Sequence, residues 1–317
     1  MKKYRKINIF TISSKKLGSG HLIRSLILSK FFRKKGFKTN IHLFNEKKKN
    51  NKAFGFNTHK ISSFFNIYRK KIKDKKNFII LDISNHKILS GTFIKKLRFN
   101  SVNYQGRLLV LDSFYKDNLI LKAKLFQSQL ILPYFVSSEY YRKFLKIKKK
   151  RVGPKFFIFD NKFKKINNRS SKKIKKILLS FGASDVYNSS YKILSNILKS
   201  LNNKKITIIL GPFFSGKNVR RLKKIEKRNF NIKVENYRSN LVQLINSHDL
   251  LITNSGLTKY EFCLSKKPVI IYSENKADNL INKPFINKNL CFHHSFIEKA
   301  KNIDKKMSKI EFNFKRV

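Results

Sequence analysis

The feature that most constrains the fold of this chain is an alternation of short apolar runs with longer helical segments, which occurs twice along its 317 residues. Such alternation is typical of α/β proteins, in which helices cover a parallel sheet. A Lys-rich segment at 146–151 separates the two sets. We therefore predict two Rossmann-like domains that face a central cleft, at 1–150 and 151–317, with a C-terminal tail that packs back on the first.

The apolar runs give the predicted strands, which in the first half are 7–13, 37–44, 78–83, 108–111 and 130–132. In the second half they are 177–181, 206–210, 232–234, 250–253 and 269–272. The helix predicted at 22–35 ends at Gly36, and its expected inward stripe is Ile23, Leu26, Ile27 and Phe31. Ligands of such sheets bind beyond the carboxyl ends of the strands, so the loops at those ends are the candidate sites.

The chain carries a formal net charge of +56, and two explanations fit it. A basic surface could neutralise the phosphates of nucleic acid or of anionic lipid. Alternatively, a coding sequence rich in A and T places Lys, Asn, Ile and Phe wherever they are tolerated, and the chain has no Trp. A binding surface would concentrate its charge, but the Lys-rich runs at 47–49, 148–150 and 172–176 are spread out. We favour compositional drift and keep nucleic-acid binding as an alternative.

Signals for export and for metal binding are not found. The apolar stretch at 7–12 is shorter than the core of a signal peptide, and no segment approaches the ~18 apolar residues of a membrane span, so we expect a cytoplasmic protein. Cys263 and Cys291 have neither CxxC spacing nor a Cys/His cluster, which argues against a disulfide framework or structural zinc. The adjacent histidines at 293–294 suggest a loop. We predict no metal and no cofactor.

The first candidate loop follows the first strand and contains Gly18, Gly20, His21 and Arg24. Glycines let the backbone approach a ligand closely, and the N-terminus of the following helix offers free N–H groups to an anion. His21 would then stand at the mouth of the cleft, with Arg24 one turn along the helix. The alternative is that the glycines serve the turn alone and that His21 caps or packs the helix.

The second half has two further candidate loops. Gly182 allows a tight turn after its first strand, and Ser184 or Asp185 would cap the helix that follows. The other loop leads into a helix whose predicted inward stripe is Leu257, Tyr260 and Leu264, with Glu261 beside it. A carboxylate at the edge of a buried stripe needs a partner. A ribose diol offers two donors to it, and an ion pair with a nearby Lys is the alternative.

A further segment, 211–218, nearly matches the phosphate-binding P-loop pattern G-x-x-x-x-G-K-[ST]. Asn218 stands where the hydroxyl residue that holds Mg²⁺ belongs, and Pro212 removes a backbone N–H from the cradle. We therefore do not predict an NTPase.

Taken in order, these motifs resemble a known family. The similar segments are Gly18 to Leu26, Gly153 to Phe156, Leu179 to Asp185, and Ser255 to Glu261 followed by Pro268, Glu274 and Asn275. They resemble the UDP-sugar hydrolase of pseudaminic acid biosynthesis and the related spore-coat polysaccharide proteins. The resemblance runs from about residue 7 to about residue 280, and it extends more distantly to the glycosyltransferase that makes lipid II.

This resemblance implies a GT-B architecture, with UDP held mainly by the second domain and the sugar facing His21. It implies metal-free attack of water at the anomeric carbon, with His21 as the base, since imidazole ordinarily titrates close to cytosolic pH. Ser255 and Gly256 would contact the phosphates, and Glu261 the ribose. The substrate-binding residues that the resemblance implies are Gly18, Gly20, Arg24, Asp82, Gly182, Ser255, Gly256, Thr258, Glu261, Glu274 and Asn275.

The chain departs from the family pattern on the expected sugar side. Ser84 and Asn85 replace an aromatic residue, Asp160 stands where Arg is common, and Lys276 stands where Gln is usual. These departures leave the sugar open and keep a second hypothesis, a glycosyltransferase that uses a UDP-sugar donor. With a lipid-linked acceptor, such a transferase would need peripheral membrane contact, for which the segment 54–65 is the best candidate. The third hypothesis is a basic nucleic-acid-binding protein without catalysis.

Overall fold

The computed structural model describes residues 4–13, 20–45, 57–83, 89–112, 118–166, 173–198, 203–237, 241–265, 267–288 and 290–294. The chain divides into two compact units, Met1–Phe159 and Asp160–Val317. Each unit contains one parallel sheet with helices between its strands. The predicted α/β class with two Rossmann-like units is confirmed.

The first unit has a seven-stranded sheet in the order β3-β2-β1-β4-β5-β6-β7. Its strands are β1 Lys6–Ile12, β2 Lys38–Asn45, β3 Asn57–Lys60, β4 Asn77–Asp82, β5 Leu108–Leu111, β6 Gln129–Leu132 and β7 Lys150–Val152. Its helices are α1 Gly20–Lys34, α2 Phe64–Lys73, α3 Gly91–Ser101, α4 Leu119–Lys122 and α5 Ser138–Arg142. Neighbouring strands are parallel throughout.

The second unit has a six-stranded parallel sheet in the order β10-β9-β8-β11-β12-β13. Its strands are β8 Lys176–Ser180, β9 Lys205–Leu210, β10 Ile232–Asn236, β11 Leu250–Asn254, β12 Val269–Tyr272 and β13 Phe292–His294. Its helices are α6 Ser189–Ile197, α7 Gly216–Arg228, α8 Leu241–Ser247, α9 Thr258–Cys263 and α10 Lys276–Asn287.

Both faces of the first sheet are buried, so its central strands place apolar side chains on both sides, as in the run from Phe78 to Leu81 of β4. In β1, Ile7 and Ile9 join one core cluster, whereas Phe10 and Ile12 join the cluster on the opposite face. The second unit builds its main core from strand residues such as Ile177 together with residues of α6 and α7. Continuous apolar runs are therefore the correct signal for these strands, because alternation would leave one face polar.

Three described strands were not predicted: β3, β7 and β13. All three are short and lie at sheet edges, where polar residues are tolerated. The expectation that the histidines at 293–294 form a loop was wrong, because both lie in β13 and pair with β12. Strand β7 lies across the boundary expected at 150/151, and the structural division falls after Phe159.

The expected inward stripe of α1 was also wrong. Ile23 is 37% exposed and Phe31 is 52% exposed. The helix instead buries a face that is mostly polar, formed by Arg24, Ser25, Ser29 and Phe32. Polar burial is tolerated because these groups have partners; the Ser29 hydroxyl, for example, lies 2.6 Å from the Thr39 hydroxyl of β2. The predicted stop is confirmed, since Gly36 takes a φ of +83° directly after the helix.

Within the described residues, no helix is long and apolar enough to cross a membrane. The segment proposed for membrane contact begins outside the described residues, at 54–56. In its described part, Phe64 is fully buried and stacks with Tyr68 in the core. That phenylalanine is therefore a core residue and is not available to a membrane surface.

The first sheet also buries a histidine. His42 of β2 is 4% exposed, and its Nε2 lies 3.0 Å from Asn8 Oδ1, while its Nδ1 lies 3.3 Å from His59 Nε2. Burial, followed by the charges of His59 and Lys71, lowers the pKa of His42 to about 4. The imidazole is therefore neutral in the folded protein at neutral pH.

This neutral histidine is expected to make the protein less stable in mild acid. The unfolded chain takes up a proton on His42 near pH 6.5, whereas the folded protein does so only near pH 4, so stability falls as the pH drops between these values. The expected loss between pH 7.5 and pH 5 is about 2 kcal/mol. Urea unfolding of the wild type and of His42→Gln at both pH values measures it. An equal pH dependence in the two proteins would contradict this assignment.

Candidate functional site

The candidate residues of the first unit lie where two neighbouring strands end. Asp82 is the last residue of β4, and α1 begins at Gly20 after β1. The order of the sheet reverses at this pair, because β2 and β3 lie on one side of β1 and β4 to β7 on the other. A reversal of this kind opens a crevice at the carboxyl ends of the strands, where ligands of open α/β sheets bind.

Three of the predicted residues meet at this point. His21 Nδ1 lies 2.5 Å from Asp82 Oδ1. Arg24 donates from Nε to Asp82 Oδ2 at 2.9 Å, and its Nη2 donates to Asp82 Oδ1. Arg24 Nη1 donates to the Tyr134 hydroxyl at 2.8 Å, and the Ser25 hydroxyl lies 3.4 Å from Asp82 Oδ2. Arg24 therefore donates to both oxygens of the Asp82 carboxylate, and His21 contacts the same carboxylate.

This carboxylate and its guanidinium partner are both charged, although both are buried. Burial acts to raise the pKa of Asp82, but the charges of Arg24 and His21 and their hydrogen bonds outweigh it and lower that pKa to about 2. Burial acts to lower the pKa of Arg24, and attraction by Asp82, then by Tyr134, raises it above its usual value. Asp82 therefore stays a carboxylate across the physiological range.

The position of Asp82 selects the tautomer of His21. A carboxylate only accepts hydrogen bonds, so the 2.5 Å contact requires a proton on His21 Nδ1. Arg24 Nη2, at 3.3 Å from the same nitrogen, is then a neighbour and not a hydrogen-bond partner. In the neutral imidazole, the lone pair of His21 then lies on Nε2. The side chain is 14% exposed, so an imidazole with a basic Nε2 reaches the surface of this unit.

The second unit repeats the plan, with the reversal of strand order between β8 and β11. Gly182, after β8, has a φ of +73°, as the predicted tight turn requires. Asp185 accepts hydrogen bonds from the backbone N–H groups of Ser189 at 2.6 Å and Ser190 at 3.1 Å. Asp185 is therefore the predicted cap of α6. The Asn218 side chain donates to the same carboxylate at 2.8 Å.

That last contact explains the segment that nearly matches a P-loop. Asn218 is 1% exposed and is held by Asp185, and its backbone N–H bonds the Ser215 hydroxyl at 3.2 Å, which caps α7. The Phe213 N–H is also used, by Ala183 O at 2.8 Å. In this segment, the Asn218 amide NH₂ and two backbone N–H groups are therefore bonded to the protein, and Asn218 has a structural role between Asp185 and the start of α7.

The loop after β11 has its polar groups engaged in a similar way. Asn254 Oδ1 accepts the Gly256 N–H at 3.1 Å, and Asn282 Nδ2 donates to the Ser255 hydroxyl at 2.8 Å. Thr258 is half-buried and begins α9. The predicted stripe of α9 was wrong in two respects: Leu264 is 38% exposed, and Lys259 is buried in its place beside Tyr260 and Phe262.

Glu261 of α9 differs from the other carboxylates of this edge. It is half-buried, and no side chain in the described part of the chain donates a hydrogen bond to it. Burial raises the pKa of Glu261 to about 7, with the charge of Lys162 acting against it. Tyr237, at the end of β10, is 48% exposed; burial and then the charges of Glu261 and Asp160 raise its pKa. A partly exposed carboxylate with spare acceptors thus lies near an exposed aromatic ring.

The residues of the motif after β12 have partners of their own. Asn275 caps α10 by accepting the Asp278 N–H at 2.9 Å, and Asp278 accepts the Glu274 N–H at 3.1 Å. The Glu274 carboxylate accepts from the Ser189 hydroxyl and, at 3.4 Å, from Asn254. Burial raises the pKa of Glu274. Glu274 therefore links the loops after β8, β11 and β12.

Three other residues of the expected site, Gly18, Ser84 and Asn85, lie outside the described residues. Asp160 caps the short helix at 161–165 by accepting the Lys162 N–H at 3.1 Å, and Lys276 is the exposed first residue of α10. Sequence reasoning missed Tyr134, Tyr237, Lys259 and Asn282. Position after a strand end was the available signal for the two tyrosines.

In comparisons with known proteins, no family model matches the sequence. The chain is 26% identical to the uncharacterized protein MJ1062 of Methanocaldococcus jannaschii, over 89% of this chain and 58% of that protein. The chain therefore spans little more than half the length of this curated relative.

Solved structures resemble the chain more completely. MurG of Acinetobacter baumannii matches with a TM-score of 0.61 at 12% identity, over 95% of this chain and 90% of that one. HepE of Anabaena, in complex with UDP and glucose, matches at 0.56 and 11%, over 96% and 89%. The UDP-GlcNAc 2-epimerase of M. jannaschii matches at 0.57 and 14%, over 97% and 93%.

The chain has the GT-B fold. At these low identities the likeness concerns the fold, and it confirms the predicted class of two Rossmann-like units. A shared fold does not define an activity, and the chemistry of this chain depends on its own residues at the strand ends.

Proposed function

We propose that the chain is a UDP-sugar hydrolase that releases UDP from an amino or deoxy sugar of the pseudaminic acid type. The observation that carries the proposal is the pairing of His21 with Asp82 at the strand reversal of the first unit. A histidine held at Nδ1 by a carboxylate presents a basic Nε2, which is the arrangement of a general base.

In the proposed reaction, His21 Nε2 takes a proton from a water molecule as the water oxygen attacks the anomeric carbon. The bond between that carbon and the phosphate oxygen breaks, and UDP leaves with the electron pair. Attack opposite the leaving group inverts the anomeric centre. Asp82 stabilises the imidazolium that forms, and Arg24 keeps the carboxylate in place.

The second unit is proposed to hold the nucleotide. Glu261 has free acceptor positions for the two hydroxyls of a ribose, and Tyr237 offers an exposed ring against which a base can stack. The loops after β8, β11 and β12 surround this site, and they contain Gly182, Ser255, Gly256, Thr258, Glu274 and Asn275. Since the Ser255 hydroxyl is engaged by Asn282 and the Gly256 N–H by Asn254, we propose that these two residues fix the shape of the phosphate site.

A glycosyltransferase that uses a UDP-sugar donor is the second candidate. It is favoured by the structural likeness to MurG and to HepE, which was solved with UDP and glucose. The same histidine would take its proton from the hydroxyl of an acceptor. Incubation with a panel of UDP-sugars, with and without acceptors, distinguishes the two. Release of UDP without an acceptor supports the hydrolase, and release only with one supports the transferase.

Replacement of Glu261 tests the nucleotide assignment. Glu261→Ala is expected to weaken UDP binding by about 1.5–3 kcal/mol, the usual value of hydrogen bonds to a charged group. The fold should survive, because no side-chain hydrogen bond within the described residues is lost. Titration calorimetry with UDP measures the change, and Glu139→Ala, an exposed carboxylate of the first unit, is the matched control. Equal affinity in the wild type and Glu261→Ala would remove Glu261 from the site.

A further inference from the structure

A buried lysine, to which the sequence analysis assigns no role, lies in the motif of the proposed nucleotide site. Lys259 of α9 is 1% exposed, and its Nζ lies 4.7 Å from the ring centre of Phe285. Burial lowers the pKa of Lys259 to about 7, while Asp278, Cys291 and Cys263 act in the opposite direction. Burying an ammonium group is costly unless it is well paired, so its partners indicate its role.

Its partners form a chain of hydrogen bonds that ends on a carboxylate. Lys259 Nζ donates to Asn282 Oδ1 at 2.9 Å. Asn282 Nδ2 donates to the Ser255 hydroxyl at 2.8 Å and to the Ser273 hydroxyl at 2.9 Å. The Ser255 hydroxyl in turn bonds the Asp278 carboxylate. Asn282 and Ser273 are fully buried.

The lysine sets the direction of every bond in this chain. An ammonium group only donates, so the oxygen of the Asn282 amide must face Lys259 and its NH₂ must face the serines. The Ser255 oxygen is then an acceptor, and its own hydrogen is left for the Asp278 carboxylate or for Tyr272 O at 3.5 Å. The donors therefore run in one direction, from Lys259 through Asn282 to Ser255. Without Lys259, the side-chain amide of Asn282 is free to flip, and the direction of these hydrogen bonds is no longer fixed.

The chain joins the two loops that flank the proposed phosphate site. Ser255 belongs to the loop after β11, and Asp278 lies in the first turn of α10, where it also accepts the Glu274 N–H at 3.1 Å. We propose that Lys259 is a positioning residue which, through Asn282, holds the loop at 254–258 in the conformation that binds the phosphates of the nucleotide. This inference rests on the proposed nucleotide site.

Two substitutions of Lys259 test the inference. Lys259→Met keeps the unbranched apolar stem of the side chain but removes the donor, and it is expected to weaken UDP binding about tenfold. Backbone amide exchange at 255–258 should become faster in the same variant, because the loop loses its attachment. Lys259→Gln restores a neutral donor to Asn282 and is expected to recover most of the affinity. Recovery by Gln identifies the donor, since loss of packing alone would not be repaired by it.

Lys267 is the matched control. It is also a buried lysine of the second unit, and its Nζ donates to the carbonyls of Ile245 at 2.8 Å, Asn246 at 2.7 Å and His248 at 2.6 Å. It precedes β12 and therefore lies at the amino ends of the strands. Lys267→Met should lower stability but leave UDP affinity unchanged. If both lysine variants weaken UDP equally, the role of Lys259 is general stability and the inference is overturned.

A double-mutant cycle with Ser255 completes the test and remains available if Lys259→Met does not fold. Ser255→Ala removes the hydroxyl that joins Asn282 to Asp278. It should accelerate backbone amide exchange at 256–258 without any change at Lys259. Combined with Lys259→Gln, it should abolish the recovery that Gln provides. If the wild-type protein fails to bind UDP, the proposed function is refuted. The amide exchange rates would still show whether Lys259 holds the loop at 254–258 through Asn282. Unchanged exchange in Ser255→Ala would overturn the inference alone.

Discussion

Replacement of His21 by Asn is expected to lower the turnover of the UDP-sugar substrate by about 10²–10⁴-fold, the usual contribution of a general base. Asn keeps a polar side chain that can still donate to Asp82, but it has no basic nitrogen in the position of Nε2. The affinity for UDP should stay unchanged, because the proposed nucleotide residues lie in the second unit. Steady-state assays of UDP release and calorimetry with UDP measure the two quantities.

His248→Gln is the control for the loss of a histidine. His248 is 6% exposed and bonds Thr207 and Leu244 O inside the second unit, so its replacement should lower stability but not the turnover of folded protein. Wild-type turnover in His21→Asn would mean that the base lies elsewhere. The next residue to replace would be Asp82, followed by Asp112, although both oxygens of Asp112 already accept N–H groups at the start of α4.

Arg24→Met is expected to destabilise the first unit by about 3–5 kcal/mol at neutral pH, as is typical when one partner of a buried ion pair is removed. The methionine fits the space of the arginine stem, but Asp82 is then a buried carboxylate whose nearest remaining side-chain partner is His21. Urea unfolding combined with amide exchange in β1 and β4 measures the change for this unit by itself.

The effect of Arg24→Met should also depend on pH, with a definite sign. In the variant, burial raises the pKa of Asp82 because the opposing charge of Arg24 is gone, so protonation removes the penalty as the pH falls. Wild type and variant should therefore differ less at pH 4 than at pH 7. Arg69→Met, which removes an exposed arginine of α2, should change stability by no more than about 0.5 kcal/mol. Unchanged stability of Arg24→Met at pH 7 would contradict the buried ion pair.

The strands could be predicted wherever both faces of the sheet are buried, because such strands consist of continuous apolar residues. Among the edge strands, β10 was predicted, but β3, β7 and β13 gave no such signal, and β13, which contains two histidines, was taken for a loop. The loops of the site were predicted because they follow these strands and contain glycine and polar residues. Their positions at the two reversals of strand order follow from pairing between distant strands, which no local pattern reveals.

Buried charges were the main failure of prediction. Apolar spacing placed Ile23 and Phe31 on the inner face of α1, whereas Arg24 occupies it, and the same error put Leu264 in the place of Lys259. A cation is expected at the surface unless a partner exists, and the partners here, Asp82 and Asn282, are 58 and 23 residues away. Only the fold brings them together.

Gly211 gives the second unit a constraint that extends beyond its own position. A methyl group at this residue would lie 2.3 Å from Gly182 O and 2.4 Å from Ala183 O, nearer than any real contact. Even alanine at 211 would therefore force the neighbouring turn to move, and with it the residues that hold Asp185 and Glu274. A substitution at 211 would then disturb the proposed nucleotide site without contacting it, so the two turns can change only together.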